Sequence, residues 1–290
     1  MIEEKLLIYV DELLKLQRAL NRKGVQAVYL KGITQYYFLT GRWPKIHPVD
    51  IDILIPNSSF SKVNLILKSL GYSKHRFYQQ PSLRPQINFV KKLPRATIVC
   101  DIHNQIFFPT KYIFNVLPPK LVKRITSEFI RRAQSIIFQR NKFLILENED
   151  MLLHQCLNFF FHHSCRNQHQ SFDISLITRN LDINWEIVIS RLASWNLKEF
   201  AYYPLLLSKQ TAKANVPNSV LLKLKPKNIL SSLVPLFINS HTVKSPIRNM
   251  HLRFRYNIFL RLLIANQSIL QKIQAFLLLI ISPMRSRAKE

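Results

Sequence analysis

The sequence predicts an α+β protein: a small mixed β-sheet with flanking helices, followed by a mainly helical C-terminal domain. Short alternating or apolar runs, which are typical of strands, recur between helical patterns up to about residue 147. Beyond that point the patterns are mainly helical. The chain has 290 residues, of which 48% are hydrophobic, and this is enough for a sizeable core in two domains or in one large one. We therefore predict an α/β domain over residues 1–147 and a mainly helical domain over residues 148–290.

The predicted elements begin in the order helix, strand, helix, strand, helix, and then continue as strands. The first helix carries an apolar stripe with a period of 3.6 residues and ends near Gly24, while Gly41 and Gly71 end the next two. Helices are predicted at 2–20, 32–39, 60–70, 149–163, 171–178 and 185–203, with two or three more between 216 and 281. Strands are predicted at 26–30, 49–55, 72–78, 86–91 and 96–102, with a strand pair within 135–146. A polar, irregular region is expected before that pair, and Pro204 is expected to interrupt the helix that begins at Trp185.

The chain is strongly basic. Lys and Arg outnumber Asp and Glu by 42 to 16, which gives a formal charge of +26. This excess favours a nucleic acid, a nucleoside triphosphate or an anionic membrane face as partner, although a solubilising surface is the alternative. Candidate groups for a nucleic-acid backbone, or for a solvated helix face, are Lys223 to Lys227 and Arg248, Arg253, Arg255 and Arg261. Only four glycines occur, so a phosphate site is expected to rely on metal ions and basic side chains.

Cysteine usage and the chain ends predict a cytoplasmic protein. Three scattered cysteines are too few for a disulfide framework, which fits a reducing compartment. The N-terminus lacks the pattern of a secretory signal. The apolar run from Ala275 to Ile281 is far shorter than the roughly 20 residues that span a bilayer. With basic residues behind it, this run is predicted to be a buried terminal helix or, alternatively, to lie on a membrane surface.

Two aspartates alternate with aliphatic residues in the strand predicted at 49–55. Side chains two apart share a strand face, so Asp50 and Asp52 are expected to project together and to repel one another. A divalent cation with oxygen ligands would offset this repulsion. Asp101 also follows an apolar run, and on a neighbouring strand it would complete a three-carboxylate site suited to two-metal phosphoryl transfer. The alternative is that these acids are strand-end caps or ion-pair partners.

These residues form part of a longer pattern. It comprises Val28-Tyr-Leu-Lys-Gly-Ile-Thr34, Asp50-Ile-Asp52, Val99-Cys-Asp-Ile-His103, Glu149-Asp-Met-Leu-Leu-His154, Phe172-Asp-Ile174 and Ile183-Asn-Trp-Glu186. The pattern resembles the DNA polymerase beta-type nucleotidyltransferases and, within them, the uncharacterised bacterial nucleotidyltransferase family, over roughly residues 25 to 210. The resemblance implies an NTP substrate and Mg²⁺ or Mn²⁺ bound by Asp50 and Asp52. It also implies that Asp101 is the third carboxylate, which in that superfamily can act as general base.

The resemblance also implies a phosphate-binding turn. Lys31 and Gly32 occupy the place of the superfamily's glycine-glycine-serine turn, but here there is one glycine, and Ile33 stands where serine is usual. Lys31 can supply charge to a phosphate and Thr34 a hydroxyl; a solvated strand-end lysine is the alternative. His103 shares a strand face with Asp101 and could orient it, contact phosphate, carry a proton or be structural.

We therefore predict a magnesium-dependent nucleotidyltransferase that moves a nucleoside monophosphate from an NTP, such as ATP, to an acceptor hydroxyl. The resemblance fits a small molecule, a peptide or a protein side chain as acceptor. It also touches the toxin-type nucleotidyltransferases, which share the leucine-lysine-glycine start and act on transfer RNA, and the basic charge keeps RNA open as an acceptor. The alternative function is a catalytically degenerate module that binds nucleotide or RNA without reacting.

Overall fold

The computed structural model describes residues 2–42, 50–74, 86–107, 117–247 and 249–265. These residues divide into two compact units. The described residues of Met1–Phe108 and Lys120–His154 form the first unit, and those of Pro109–Pro119 and Gln155–Glu290 form the second.

The first unit is built around a seven-stranded mixed sheet. Its strands are β1 (Val28–Tyr29), β2 (Ile51–Leu54), β3 (Ser73–Lys74), β4 (Gln86–Leu93), β5 (Ala96–His103), β6 (Gln134–Phe138) and β7 (Asn141–Ile145). Its helices are α1 (Ile2–Arg22), α2 (Ile33–Thr40), α3 (Phe60–Ser69) after a short 3-10 turn (Asn57–Ser59), α4 (Pro119–Arg132) and the first half of α5 (Asn148–Phe161). The strand order is β3-β4-β5-β2-β1-β7-β6, with β1–β7 and β2–β5 parallel and the other pairs antiparallel. The predicted α+β architecture is confirmed.

The central strands β1 and β2 are buried along their whole length. Their aliphatic residues explain this, because a strand covered on both faces reads as a nearly continuous apolar run. Asp52 lies within this buried segment and is only 1% exposed. A carboxylate in such a place requires cationic or hydrogen-bonding partners, and the sheet must supply them.

Helix α4 corrects the sequence analysis, which expected an irregular region before the strand pair. Pro119 is its first residue, a position at which the missing backbone N–H has no effect on the helix. Val122, Ile125 and Phe129 follow at helical spacing and are fully buried. The prediction was wrong because prolines and basic residues surround an apolar stripe that is only three residues long.

Arg132, at the end of α4, binds Asp150 in the first turn of α5. Its Nε and Nη2 donate to the two carboxylate oxygens at 2.8 and 3.0 Å, and Asp150 is fully buried. We expect Arg132→Met to lower the free energy of unfolding by about 3 kcal/mol, because it removes the bidentate partner of a buried carboxylate. Urea denaturation measures this change. Arg131→Met, at an exposed neighbour, is the matched control and should stay within about 0.5 kcal/mol of wild type. Equal stability of the two variants would contradict the prediction.

The second unit is mainly helical. It contains the end of α5 together with α6 (Gln168–Asn180), α7 (Trp185–Trp195), α8 (Lys198–Ala212), α9 (Asn218–Leu224) and α10 (Met250–Ile264), and the 3-10 turns Ile229–Leu236 and Thr242–Lys244. The single helix predicted from Trp185 to Tyr203 was wrong. Asn196 adopts a left-handed conformation with φ 58° and ends α7, as asparagine readily does at this position. Pro204 lies inside α8 and does not end it.

Several predictions concern the C-terminal region. The apolar run from Ala275 to Ile281, the helix expected to reach it, and Arg248 lie outside the described residues. Arg261 was a candidate for a nucleic-acid backbone or for a solvated helix face. Both interpretations were wrong for this residue, because its side chain is 6% exposed and its guanidinium lies 4.8 Å from the Phe161 ring centroid. Burial lowers the pKa of Arg261 to about 9. Within the described ranges, no helix is both long enough and apolar enough to cross a bilayer.

Candidate metal and phosphate site

The sheet brings Asp52, Asp101 and His103 to one face. Strands β2 and β5 are parallel neighbours, and their register places Asp52 beside Asp101 and Leu54 beside His103. Because side chains alternate between the faces of a strand, Asp101 and His103 point the same way. The Leu30 N–H donates to the Asp52 carbonyl at 3.1 Å and ties the end of β1 to β2. This contact brings Lys31, the next residue, to the carboxylates.

Asp52 is the centre of the cluster. Lys31 Nζ lies 3.2 Å from its Oδ2, and His103 Nε2 lies 3.0 Å from its Oδ1. Asp52, Asp101 and His103 each offer a ligand atom, and these atoms all lie within 4.8 Å of one another. The two carboxylates are 1% and 6% exposed. The cluster is therefore compact and largely withdrawn from water.

The pKa values of the three acids diverge within this cluster. Burial would raise the pKa of Asp52, but the Lys31 charge and the His103 ring outweigh it and hold this pKa below its usual range. Burial and the Asp52 charge raise the pKa of Asp101 to about 7. Burial and the Asp52 charge also raise the pKa of Asp50 to about 6, against the effect of Lys31. At neutral pH Asp50 is therefore mostly ionised and Asp101 only partly, and a further cation would favour the state in which all three acids carry a charge.

The donor set fits a divalent cation. Asp52 Oδ2 is buried and has no hydrogen bond of good geometry, although Lys31 is near. An unsatisfied buried carboxylate oxygen is unfavourable, so this atom has an unused coordination position. Carboxylate oxygens are the ligands that Mg²⁺ and Mn²⁺ prefer. His103 can add a ligand or hold Asp52 in position through its hydrogen bond.

Asp50 and the turn residues lie around this cluster. The charge of Asp52 acts on the pKa of Asp50, but Asp50 is not one of the three residues whose ligand atoms converge. Gly32 has φ 82° and ψ −147°, a combination essentially restricted to glycine, and it allows α2 to start at once after Lys31. Thr34 is 2% exposed, so its side chain is closed to solvent. The ligand-binding roles of Asp50, Lys31, Gly32, Thr34 and His103 stay predictions.

Two further residues hold Asp101, and the sequence analysis did not identify them. Gln86 Nε2 donates to Asp101 Oδ2 at 2.6 Å, and Asn88 Nδ2 donates to Oδ1. Both belong to β4, whose antiparallel register places Asn88 directly opposite Asp101. The signal was present as polar residues alternating with Ile87 and Phe89, which are buried. The amides orient the Asp101 carboxylate towards the cluster.

His154, on α5, is a buried histidine of the same unit. It is 4% exposed, its ring stacks on Phe107 at 6.1 Å, and its Nδ1 has no hydrogen-bond partner among the described residues. Burial, followed by the charges of Lys31 and His103, lowers the pKa of His154 to about 3 from 6.5. The folded ring is therefore neutral under physiological conditions.

This shift predicts a pH dependence of stability. The unfolded chain protonates His154 below about pH 6.5 and the folded chain only near pH 3, so the unfolded state binds more protons between these values. The free energy of unfolding should therefore decrease as the pH is lowered through this window, and the loss should be roughly 2 kcal/mol at pH 5. His154→Leu should remove this contribution, as measured by urea denaturation of both proteins at pH 7 and pH 5. Parallel pH curves for wild type and variant would contradict the prediction.

The fold and the cluster together define an α+β protein whose mixed sheet carries a candidate acidic metal site beside a basic turn. A family model described as "Uncharacterised nucleotidyltransferase" matches residues 1–213. The chain therefore belongs to this nucleotidyltransferase family. No curated protein and no solved structure was found to match it.

Proposed function

We propose that the protein transfers a nucleoside monophosphate from an NTP to an acceptor hydroxyl and releases pyrophosphate. The observation that supports this proposal is the convergence of Asp52, Asp101 and His103, with Lys31 in contact, in a chain of a nucleotidyltransferase family. In the proposed reaction the acceptor oxygen forms a bond to the α-phosphorus. The bond from that phosphorus to the bridging oxygen breaks, and pyrophosphate leaves.

Each residue of the cluster has a proposed role. Asp52 and Asp101, with Asp50 beside them, would hold Mg²⁺ or Mn²⁺. Such an ion, when bound, neutralises charge on the triphosphate and lowers the pKa of a coordinated hydroxyl. Asp101, which lies in the cluster beside Asp52, would also accept the proton of the acceptor hydroxyl as general base. Gln86 and Asn88 keep its carboxylate oriented.

The turn before α2 is proposed to bind the triphosphate. The charges of Asp52 and Asp50 outweigh burial and raise the pKa of Lys31, so its ammonium stays protonated. The side chain of Lys31 is 27% exposed, which leaves it accessible to a phosphate. Gly32 sets the N-terminus of α2 beside it, and free N–H groups at a helix N-terminus bind phosphate oxygens.

The proposed function also implies a nucleotide substrate, an acceptor and a cell compartment. ATP is among the candidate NTPs, and the acceptor class comprises a small molecule, a peptide or protein side chain, and RNA. The three cysteines are free and buried, which supports a reducing, cytoplasmic location. A second candidate function is nucleotide or RNA binding without turnover. Ile33 favours this second candidate, because an apolar side chain, 3% exposed, stands where the related phosphate-binding turn has a serine.

Labelled nucleotides test the proposal. The protein is incubated with Mg²⁺, cell extract and each NTP, labelled in turn at the α- or γ-phosphate, and acceptor label and pyrophosphate are measured. We expect α-label, and no γ-label, on an acceptor together with an equal amount of pyrophosphate, and neither product when EDTA replaces Mg²⁺. Nucleotide binding without pyrophosphate, for all four NTPs, would support the binding module instead.

A further inference from the structure

The last third of the chain is free of acidic residues almost to its end. From Ala201 to Lys289 the sequence contains 14 Lys and Arg residues and no Asp or Glu. This stretch therefore contributes 14 positive charges, and no negative ones, to the total of +26. An excess of positive charge attracts polyanions, and the described residues show whether part of it forms a defined binding site.

The second unit contains a cationic groove, which we name by its residues the Arg179–Lys213 groove. Its volume is ≈ 500 Å³, and it is lined by Arg179, Lys209, Lys213, Ala214 and Asn215. No lining residue is acidic. Arg179 and Lys213 are exposed, and neither has a carboxylate partner within the described part of the chain. Three positive charges therefore face one groove without a neutralising group.

Lys209, the third basic residue that lines the groove, is held by two neutral acceptors. Its Nζ donates to the Val216 carbonyl at 2.6 Å and to Asn218 Oδ1 at 2.8 Å. These contacts hold the ammonium in place and leave its charge uncompensated. An ammonium has three donors, so one remains for a ligand.

Three hydroxyl contacts fix the groove in shape by joining α6 to the end of α8. The Ser171 and Thr211 hydroxyls are hydrogen-bonded at 2.7 Å, and Ser175 Oγ donates to the Ala212 carbonyl at 2.6 Å. The Asn215 N–H donates to Thr178 Oγ1, the residue before Arg179, at 3.0 Å. The turn that carries Lys213 is thus bound to the helix that carries Arg179. A groove that is already ordered binds with a smaller entropic penalty.

We propose that the Arg179–Lys213 groove binds the phosphodiester backbone of a nucleic acid, and that this nucleic acid is the acceptor; the second part rests on the proposed function. Basic side chains that converge from two helices suit a nucleic-acid strand whose phosphates enter the groove. The only apolar lining residue, Ala214, is buried, so the groove has no side chain to insert into a membrane. Its lining also has no aromatic ring for a nucleobase, which is consistent with recognition of the backbone alone.

Fluorescence anisotropy with a labelled single-stranded RNA, titrated at several KCl concentrations, tests the groove. We expect Arg179→Ala/Lys213→Ala to weaken binding roughly tenfold near physiological salt. The negative slope of log K against log[KCl] should become shallower by about 1.4, since each lost phosphate contact on a single strand changes it by about 0.7. Lys244→Ala/Arg255→Ala removes the same charge from exposed sites of the same unit and is the matched control. The unfolding temperatures of both variants should match that of the wild type, since all four side chains are exposed.

Equal losses of RNA affinity in the two double variants would overturn the proposal, because bulk charge and not the groove would then carry the binding. Flotation with phosphatidylserine vesicles is the second arm. Loss of vesicle binding in the groove variant, with RNA binding intact, would overturn it in favour of a membrane partner. RNA that is bound through the groove but never receives α-label would overturn the acceptor assignment alone. Pyrophosphate release without any RNA binding would overturn the groove and leave the proposed function in place.

Discussion

Asp52→Asn is expected to lower the rate of nucleotidyl transfer by roughly 10³-fold or more. Asp52 contacts Lys31 and His103 and shares the ligand cluster with Asp101, so the substitution removes the central charge of the proposed metal site. The loss of charge stabilisation at such a site amounts to several kcal/mol, and each 1.36 kcal/mol corresponds to about a factor of ten in rate. Pyrophosphate release and α-label transfer, measured at saturating Mg²⁺, give the result.

Asp11→Asn is the matched control for this experiment. Asp11 is an exposed aspartate of the same unit that pairs with Lys15, so the variant has the same change in net charge without touching the cluster. It should retain wild-type activity. Mn²⁺ binding followed by electron paramagnetic resonance provides a second measurement that does not depend on the acceptor, and it should be weakened only in Asp52→Asn. Full transfer activity in Asp52→Asn would remove the basis of the proposed function.

The second large effect concerns Lys31→Met, which should destabilise the metal-free protein by about 3 kcal/mol. Asp52 is 1% exposed, and Lys31 is its strongest cationic neighbour, so the substitution leaves a buried carboxylate with His103 as its remaining partner among the described basic residues. Mg²⁺ should restore part of the loss, because an ion bound at the carboxylates supplies the missing positive charge. The rise in unfolding temperature on addition of Mg²⁺ should therefore be larger for the variant than for wild type.

Lys15→Met separates this effect from the loss of a lysine in general. Lys15 also pairs with carboxylates, but its side chain is 45% exposed, and exposed pairs contribute little. We expect this control to stay close to wild type and to show the ordinary response to Mg²⁺. If Lys31→Met were as stable as Lys15→Met without metal, Lys31 would not be the residue that compensates the charge of Asp52.

The family pattern also contains residues that the structure explains without chemistry. Asp150 follows Glu149 in the motif that leads to His154, and it is fully buried against Arg132 at the end of α4. Its position in the pattern is accounted for by the attachment of one helix to the next. Because an irregular region was predicted here, the sequence identified neither α4 nor Arg132 as the residue that binds Asp150.

The sequence alone determined which residues share a face, because side-chain alternation is a property of each strand by itself. It placed Asp101 with His103, and its helical and alternating patterns were enough for the α+β class. The shared face of Asp50 and Asp52 stays a prediction, because β2 begins only at Ile51. The three buried residues of α4 were also present as a stripe. They were missed because prolines and charges around them resemble a loop.

Only the tertiary structure decided which of these residues meet. The parallel pairing of β2 with β5 brings Asp52 beside Asp101, and the antiparallel pairing of β4 brings Asn88 to the same carboxylate. Strand order and register depend on contacts between distant segments, and no local pattern encodes them. For the same reason, the structure alone shows Lys31 and His103 on opposite oxygens of Asp52, and Arg261 inside the second unit.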